Sequence, residues 1–486
     1  MAIDAPDRAA TVGPTLPEWT RPATPVGPLL AAAIVIAAVA FDIAARSQAV
    51  GVGASILIAT FAGVLFATGH LENAQSRGLA LVAVGFGALL SIRTSPWLVP
   101  FDVLASIGCL VAAASLAQGG SLLDISGPKA VLRGVHAGVN GLFGLGYVTR
   151  GRGTKFAPAM RGLAIAIPLA VVVGILLASG DAVFASAFKF DAVDLVSHML
   201  LLFFGLWLAA GLARVCATPK IDEPDATMPR LGKVEWAIVL GALNLVYLGF
   251  AVARIVAVSE GGARVLKTAG LTYAEYARSG FFELLAAAAI TLVALIVLRA
   301  TADVSEPRSR GVFSVLACSV IALNLLVVAS AFQRLALYEQ AFGLSMLRFY
   351  SMVFCIWLAI ALVALALWIA GVAGRRPWFW SIAAGTALAL LLALNIANPE
   401  AIVVRHNAGA DTVEGFDAEY ANELSEDAVP ALSDAAKEMD EGARGEVERR
   451  LCPARPPSAT GWKSFNLSRE NAATARILFC SRSSGR

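Results

Sequence analysis

Side chains that can bind a ligand or take up and release a proton lie in three polar-aromatic segments, each beside a long apolar stretch. The first segment supplies Tyr273, Glu275, Tyr276, Arg278 and Glu283, the second supplies Arg334, Tyr338, Glu339 and Arg348, and the third supplies Asn398 and Arg405. Together they offer carboxylates, guanidinium groups and tyrosines, which suit a charged or zwitterionic small molecule. The same residue types also anchor membrane helices at the interface and pair with one another, and this structural role is the alternative.

Two features of these segments support the hypothesis that they form a binding site. Glu283 falls just inside a predicted membrane helix, where an ionisable group is costly and usually faces a partner or a watery cavity. Arg334 and Tyr338 are one helical turn apart, and Gly343 is predicted to end their helix before Arg348 begins the next one. The segments are therefore predicted to form a candidate polar site on one side of a membrane.

Apolar stretches position these segments and decide the fold class. Hydrophobic residues make up 58% of the chain and charged residues 15%, with a mean hydropathy of +0.73, which excludes a water-soluble domain of this size. Because a helix crosses the hydrocarbon core with about 20 apolar residues, we predict an all-α, polytopic transmembrane helical bundle of about eleven spans. The predicted spans are Val26–Ala45, Val50–Gly69, Gly78–Ile92, Trp97–Ala117, Gly162–Ser179, Leu195–Ala213, Trp236–Val256, Phe281–Arg299, Val312–Phe332, Tyr350–Ala370 and Trp378–Asn395.

The chain divides into three parts by composition. Residues 1–25 are predicted to be a disordered cytoplasmic N-terminus, residues 26–407 the transmembrane domain, and residues 408–486 a small, helical, soluble C-terminal domain. Within the second part, the mixed stretch Ser121–Val148 is predicted to be an interfacial helix rather than a span.

Lysine and arginine positions predict the orientation. With the N-terminus inside, the predicted cytoplasmic segments carry about twice as many Lys and Arg residues as the outer ones, as the positive-inside rule requires. An odd number of spans then places the C-terminus, and all three polar-aromatic segments, outside. We therefore expect a multi-pass protein of the cell inner (plasma) membrane.

The cysteines give an independent indication of topology. Cys452 and Cys480 are the only cysteines of the polar tail, and an exported tail would let them form a disulfide. Two free thiols in a cytosolic tail are the alternative. The remaining cysteines lie in or at the end of apolar spans, where we expect small buried hydrophobes; they are Cys109, Cys216, Cys318 and Cys355.

Motifs for catalysis or cofactor binding are not apparent in the sequence. The histidines His70, His136, His198 and His406 are scattered, so we predict no metal site and no cofactor. Neither a His/Asp pair nor a nucleophile elbow is visible, and we do not expect an enzyme. The net charge of +3 comes from the Lys and Arg residues of the predicted cytoplasmic loops, which determine the orientation in the membrane. It therefore gives no reason to expect a nucleic-acid partner.

Polar residues within the spans have structural explanations. Asn244 and Asn324 lie near the middle of spans and are predicted to form interhelical hydrogen bonds. Asp42, Asp102 and Asp181 lie nearer to span ends, where a carboxylate reaches interfacial water, and a proton relay is the alternative.

Several linked motifs carry a family resemblance. They are Thr272-Tyr-Ala-Glu-Tyr-Ala-Arg278 with Gly280-Phe281, Tyr338 with Phe342-Gly-Leu-Ser345 and Leu347-Arg348, Asn398-Pro399, Phe416-Asp-Ala-Glu-Tyr420, and Leu424-Ser-Glu-Asp-Ala-Val-Pro-Ala-Leu432. This combination resembles domain-of-unknown-function family 4173, closely allied to family 4153, over about Gly232–Trp462. The resemblance implies a bacterial inner-membrane protein with no established activity, and it assigns no functional residues.

Three function classes remain open. The first is an envelope scaffold or signalling partner, whose tail and outer loops bind another envelope protein. The second is a transporter of a small charged or zwitterionic solute, although no internal repeat or paired broken helices support it. The third is a membrane-embedded enzyme acting on lipid or cell-wall precursors. The lipid bilayer is the one partner that composition alone requires.

Overall fold

The computed structural model describes residues 25–117, 119–150, 192–218, 230–259, 280–372, 374, 376–409, 416–439, 441–453 and 461–483, with isolated helical positions within 166–180. Every regular element in these ranges is a helix. Their only strand-like pairing is an isolated bridge between Leu231 and Ala302.

Twelve α-helices, which we number in chain order, precede the tail in the described ranges. They are α1 (Pro28–Ala45), α2 (Val52–Ala67), α3 (Ala74–Leu89), α4 (Val99–Leu116), α5 (Gly127–Leu142), α6 (Gly144–Arg150), α7 (Ala192–Ala217), α8 (Lys233–Ser259), α9 (Phe281–Thr301), α10 (Pro307–Phe342), α11 (Met346–Ile369) and α12 (Phe379–Ala397). We call α1–α7 the N-lobe and α8–α12 the C-lobe, because each set has its own buried apolar cores.

Eight helices of the described chain are long and apolar enough to cross a membrane: α1, α4 and α7 to α12. In α7 the candidate span is Asp194–Ala217, and in α8 it is Lys233–Val256. Two shorter apolar helices, α2 and α3, match the predicted spans Val50–Gly69 and Gly78–Ile92 in position. The predicted span Gly162–Ser179 lies largely outside the described residues. The structure therefore shows a multi-pass, all-helical membrane protein, and eight of the predicted eleven spans meet the length requirement.

The longest helix, α10, combines a predicted span with part of a predicted outer segment. It has 36 residues, which corresponds to about 54 Å at 1.5 Å per residue and exceeds the hydrocarbon thickness. It ends at Phe342, and Gly343 follows with φ 73°, a left-handed backbone that glycine accommodates without a Cβ clash. The glycine ends the helix as predicted, and α11 begins at Met346.

Asparagines join helices within the C-lobe, as the sequence predicted. Asn244 Nδ2 donates to the carbonyl of Leu316 at 3.0 Å, and Ser319 Oγ donates to Asn244 Oδ1 at 2.6 Å, which joins α8 to α10. Asn324 Nδ2 donates to the carbonyl of Ala288 at 3.2 Å, which joins α10 to α9. These bonds satisfy polar groups that the bilayer cannot.

Helix α12 connects the two lobes at both of its ends. Near its start, Ser381 Oγ donates to the carbonyl of Leu122 at 2.7 Å, and the ring of Trp380 covers Gly127, where a Cβ would collide with it. Near its end, Asn395 contacts Asp102 in α4. The lobes are thus joined through one helix by polar contacts at two levels.

The tail begins directly after α12. Its helices are α13 (Pro399–Ala408), α14 (Ala418–Glu423), α15 (Val429–Ala435), α16 (Glu441–Leu451) and α17 (Leu467–Ser483), with 3-10 helices at Glu426–Ala428 and Trp462–Ser464. Cys452 and Cys480 form a disulfide with Cα atoms 5.8 Å apart, which ties the segment after α16 to α17.

The tail shares its hydrophobic core with the membrane helices. Leu344 and Met346, from the turn between α10 and α11, are buried in the same cluster as Val429, Leu432 and Leu451 of the tail. The region predicted as a separate soluble domain is therefore packed onto the bundle through a continuous core.

Loops that the charge analysis placed on one side meet the tail together. Tail residues contact the backbone at Val50 and Arg93 in the N-lobe and at Met346 in the C-lobe. We call this the tail face. On the opposite face, Arg376 lies 3.7 Å from Asp124, and both belong to segments predicted to be cytoplasmic.

Candidate functional site

Five polar residues, Asp102, Tyr350, Asn395, Glu400 and Asp427, lie where the two lobes and the tail meet. We call them the junction cluster. Asp102 belongs to α4, Tyr350 to α11, Asn395 to α12, Glu400 to α13 and Asp427 to a 3-10 helix of the tail. The three carboxylates are 0%, 1% and 2% exposed for Asp102, Glu400 and Asp427. Buried acids at this density are uncommon unless hydrogen bonds stabilise them.

Asp427 connects the tail to the N-lobe. Its carboxylate accepts hydrogen bonds from the backbone N–H groups of Thr94, at 3.1 Å, and Ser95, at 2.9 Å, in the turn before α4. The hydroxyl of Ser468 at the start of α17 donates to the same carboxylate. Its backbone carbonyl accepts from Asn398 Nδ2 at 2.9 Å. Charge-assisted bonds of this kind are stronger than neutral ones and hold the tail to the α3–α4 turn.

Glu400 lies in the first turn of α13, at the start of the tail, and accepts hydrogen bonds from Ser425. The backbone N–H and the hydroxyl of Ser425 both donate to Glu400 Oε2 at 2.7 Å. Burial raises the pKa of the Glu400 carboxyl above its ordinary value, the negative charge of Asp427 adds to the increase, and the hydroxyls of Ser95 and Ser425 partly oppose it. The structure thus favours a Glu400 that takes up a proton more readily than a solvated glutamate.

The remaining members come from membrane helices. Asn395 Nδ2 donates to Asp102 Oδ1 at 2.8 Å, and Arg93 Nε donates to the Asn395 carbonyl at 2.7 Å. The Tyr350 ring stacks on Trp97 with centroids 5.4 Å apart. Among the described residues, Asp102 Oδ2, Tyr350 Oη, Asn395 Oδ1 and Glu400 Oε1 are buried without a hydrogen-bond partner.

This arrangement is suited to holding protons or a small polar ligand. The Glu400 carboxyl is buried and one of its oxygens lacks a hydrogen-bond partner, so proton uptake there is the simplest way to stabilise the cluster. Within the described ranges, no group of three or more His, Cys, Asp or Glu side chains has the geometry to hold a metal ion.

The described residues of the predicted polar-aromatic site form separate contacts with different neighbours. Arg348 lies over the Tyr338 ring at 4.0 Å and donates to the carbonyl of Phe342 at 3.1 Å, while Glu339 pairs with His406. These contacts join α10, α11 and α13.

Other predicted site residues have different surroundings. Glu283 is exposed in the first turn of α9, Arg405 is exposed on α13, and the guanidinium of Arg334 approaches Gly280. Of the predicted site residues that the structure describes, Asn398 bonds to a member of the junction cluster, Asp427. Tyr273, Glu275, Tyr276 and Arg278 lie outside the described residues.

A second polar group, which the sequence did not indicate, joins α1 to α7. His198 Nδ1 lies 2.8 Å from Asp42 Oδ2, and Arg46 bonds to Asp42 at 3.1 Å and to Asp194 at 2.5 Å. The hydrogen bond to Asp194 is the main reason that the pKa of Arg46 is raised. A His/Asp pair therefore exists, although the sequence showed none.

The buried aspartates correct an expectation. Asp42 and Asp102 were predicted to reach interfacial water, yet both are buried and bonded to residues of other helices. Asp181 lies outside the described residues. Two features of the sequence could have indicated parts of this group: Asp42 and Arg46, and likewise Asp194 and His198, lie one helical turn apart. Nothing in the sequence indicated that α1 packs against α7.

Comparison with known families gives a clear result. The family described as Domain of unknown function (DUF4153) matches residues 30–435. The chain belongs to this family. The match to DUF4153 covers both lobes and the first helices of the tail, so the family relationship extends well beyond the C-terminal half that the motifs suggested. Comparison of this DUF4153 protein with curated proteins and with solved structures finds no match.

The extent of the match separates two parts of the DUF4153 protein. All five members of the junction cluster lie within residues 30–435. The disulfide, α16 and α17 follow the matched region. The cluster therefore lies within the part of the chain that the family model matches, and the end of the tail lies outside it.

Proposed function

We propose that this DUF4153 protein is an envelope scaffold or signalling protein in which the tail holds the two lobes in one relative position. The proposal includes eleven spans in a bacterial inner membrane, a cytoplasmic N-terminus, an extracytoplasmic tail and kinship to family 4173. The central observation is that Asp427 bonds to the N-lobe while the tail core incorporates Leu344 and Met346 of the C-lobe.

A tail in contact with both lobes can couple its outer surface to the membrane helices. A partner that binds the tail in one arrangement of the lobes shifts the equilibrium towards that arrangement by its differential affinity. The polar contact between α4 and α12 is one of those that must change when the lobes move. Buried polar contacts have few alternative arrangements, which suits a two-state element.

A distance measurement between the lobes tests this role. Spin labels at Leu123 and Arg376, both exposed on the opposite face, report the separation of the lobes in lipid nanodiscs. We expect one narrow distance distribution in the otherwise unchanged protein and a broader one in Asp427→Ala. Asp434→Ala, at an exposed tail carboxylate, is the matched control. An equally narrow distribution in Asp427→Ala would contradict the proposal.

Transport of a small charged or zwitterionic solute is the second candidate function. The observation in its favour is the Asp102–Asn395 pair, a carboxylate and an amide that are buried where the two lobes meet. Proteoliposomes tested with pooled amino acids should then show uptake that Asp102→Asn removes. Uptake equal to that of protein-free liposomes would exclude this candidate for those solutes.

A further inference from the structure

A short stretch of the tail exposes large apolar side chains beside the ends of the membrane helices. Trp462 is 59% exposed, Phe465 46% and Leu467 44%. They belong to the 3-10 helix Trp462–Ser464 and the residues that follow it, which pack against α2. We call Trp462–Leu467 the aromatic loop. Neighbouring exposed apolar side chains of this size commonly mark a surface that contacts a membrane or a partner.

Backbone contacts place the aromatic loop at the level where membrane helices end. The N–H of Val52, the first residue of α2, donates to the Phe465 carbonyl at 3.0 Å. The N–H of Leu467 donates to the carbonyl of Ser91, just past the end of α3, at 2.8 Å. These bonds use backbone groups at the exposed ends of both helices.

Gly53 lies between the aromatic loop and α1, a helix that is long enough to span the membrane. A Cβ on Gly53 would lie 3.1 Å from the Lys463 carbonyl oxygen and 3.7 Å from the Cα of Ala44. Ala44 lies in the last turn of α1, one of the eight span-length helices. Lys463 and the last turn of α1 therefore flank the same glycine, and the loop lies at the depth of the bilayer interface.

We propose that the aromatic loop is a membrane-contacting element, with Trp462, Phe465 and Leu467 inserted into the interfacial region of the leaflet on the tail face. The occupant of this apolar surface is the bilayer itself, because the surface continues onto two exposed apolar residues, Val50 just before α2 and Ile56 within it. Tryptophan and phenylalanine at the headgroup level anchor proteins to membranes. The proposal needs only the position of the tail on the bundle and goes beyond the proposed function.

Electron paramagnetic resonance of the full-length protein in nanodiscs tests the proposal. Spin labels are attached at Trp462→Cys and Phe465→Cys after the cysteines Cys109, Cys216, Cys318 and Cys355 have been replaced, with the disulfide left intact. Oxygen partitions into lipid and a nickel chelate remains in water, so the ratio of their collision rates reports the surroundings of each label. Glu446→Cys, exposed on α16, which packs on α14, α15 and α17, is the matched control.

We expect the oxygen-to-nickel ratio to be at least several-fold higher at 462 and 465 than at 446. Equal ratios at the three positions would overturn the proposal. Protection from the nickel chelate in native membranes but not in nanodiscs would also overturn it, since a protein would then cover the loop. If a cysteine variant fails to fold, brominated lipids provide a second measurement, because Trp462→Phe should reduce the lipid-quenched fraction of tryptophan fluorescence, and an unchanged fraction would contradict the proposal.

Discussion

Asp102 in α4 and Asn395 in α12 form a hydrogen bond of 2.8 Å that joins the N-lobe to the C-lobe. The two residues are separated by 293 positions in the chain. Both side chains are buried. This buried pair is therefore one of the polar contacts that join the N-lobe to the C-lobe.

The Asp102–Asn395 pair should show a measurable coupling energy. Asn395→Ala removes the donor and leaves a buried carboxylate oxygen without its partner, which costs about 1–3 kcal/mol. Asp102→Asn keeps an oxygen that accepts from Asn395, so we expect a smaller loss. A double-mutant cycle of denaturant unfolding in detergent should give a coupling of about 1 kcal/mol or more. Additive effects would show that the bond does not stabilise the lobe contact.

Asp427 should be the tail residue most sensitive to substitution. Asp427→Ala leaves the N–H groups of half-buried Thr94 and buried Ser95 without their acceptor, and we expect the unfolding free energy to fall by about 2–5 kcal/mol. Asp427→Asn keeps one oxygen and should lose less. Asp434→Ala removes an exposed carboxylate paired with Lys437 and should change stability by no more than about 0.5 kcal/mol. Similar effects at the two positions would argue against a special role for Asp427.

Stability should fall as pH rises, through Glu400. Because its folded pKa is raised above the ordinary value of 4.5, the folded state binds more protons than the unfolded state above that pH. The resulting stabilisation is present in acid and is lost as pH rises through the folded pKa, with a slope of at most about 1.4 kcal/mol per pH unit. The charged or titratable groups near Glu400 are Asp427, Tyr350, Tyr420 and Arg450.

Glu400→Gln provides the test of this pH dependence. The glutamine oxygen can still accept from Ser425, but the residue does not titrate. We expect unfolding temperatures measured between pH 5 and pH 8 to depend less on pH in Glu400→Gln than in the unchanged protein. Parallel curves for the two proteins would show that Glu400 contributes nothing to the dependence.

Arg46 should not be replaceable by lysine. Its guanidinium bonds to Asp42 through Nε and to Asp194 through Nη1, and a lysine ammonium cannot reproduce this forked geometry. We expect Arg46→Lys to lower the unfolding temperature in detergent, whereas Arg308→Lys, at an exposed position of α10, should leave it unchanged. Equal temperatures for both variants would indicate that the network between α1 and α7 contributes little stability.

Thiol labelling of Cys452 and Cys480 should reveal the orientation of the protein. With an extracytoplasmic tail, a membrane-impermeant reagent applied to intact cells should label these residues only after reduction. The variant Cys452→Ser/Cys480→Ser should remain unlabelled, because three of the other cysteines, Cys109, Cys216 and Cys355, are buried and Cys318 is half-buried within α10. Labelling only after lysis would place the tail in the cytoplasm and invert the proposed topology.

Local features of the sequence were sufficient for the membrane class and for most helix positions. Hydropathy averages over a helix length, so each span is readable without knowledge of its neighbours. The isolated asparagines Asn244 and Asn324 were recognised as interhelical partners for a similar reason, because an amide in a lipid environment must find a hydrogen bond. The charge bias also grouped the loops at Arg46, Arg93 and Arg348 with the tail.

The junction cluster and the Asp42–His198 pair were decided by tertiary structure alone. Asp427 reaches Thr94 across 333 positions, and Asp42 reaches His198 across 156. Helices that are apolar on nearly all sides have little periodicity, so the sequence does not show which face of each helix meets which neighbour. The sequence by itself determined that this protein is a helical membrane protein of many spans; packing determined which of its few buried charges meet.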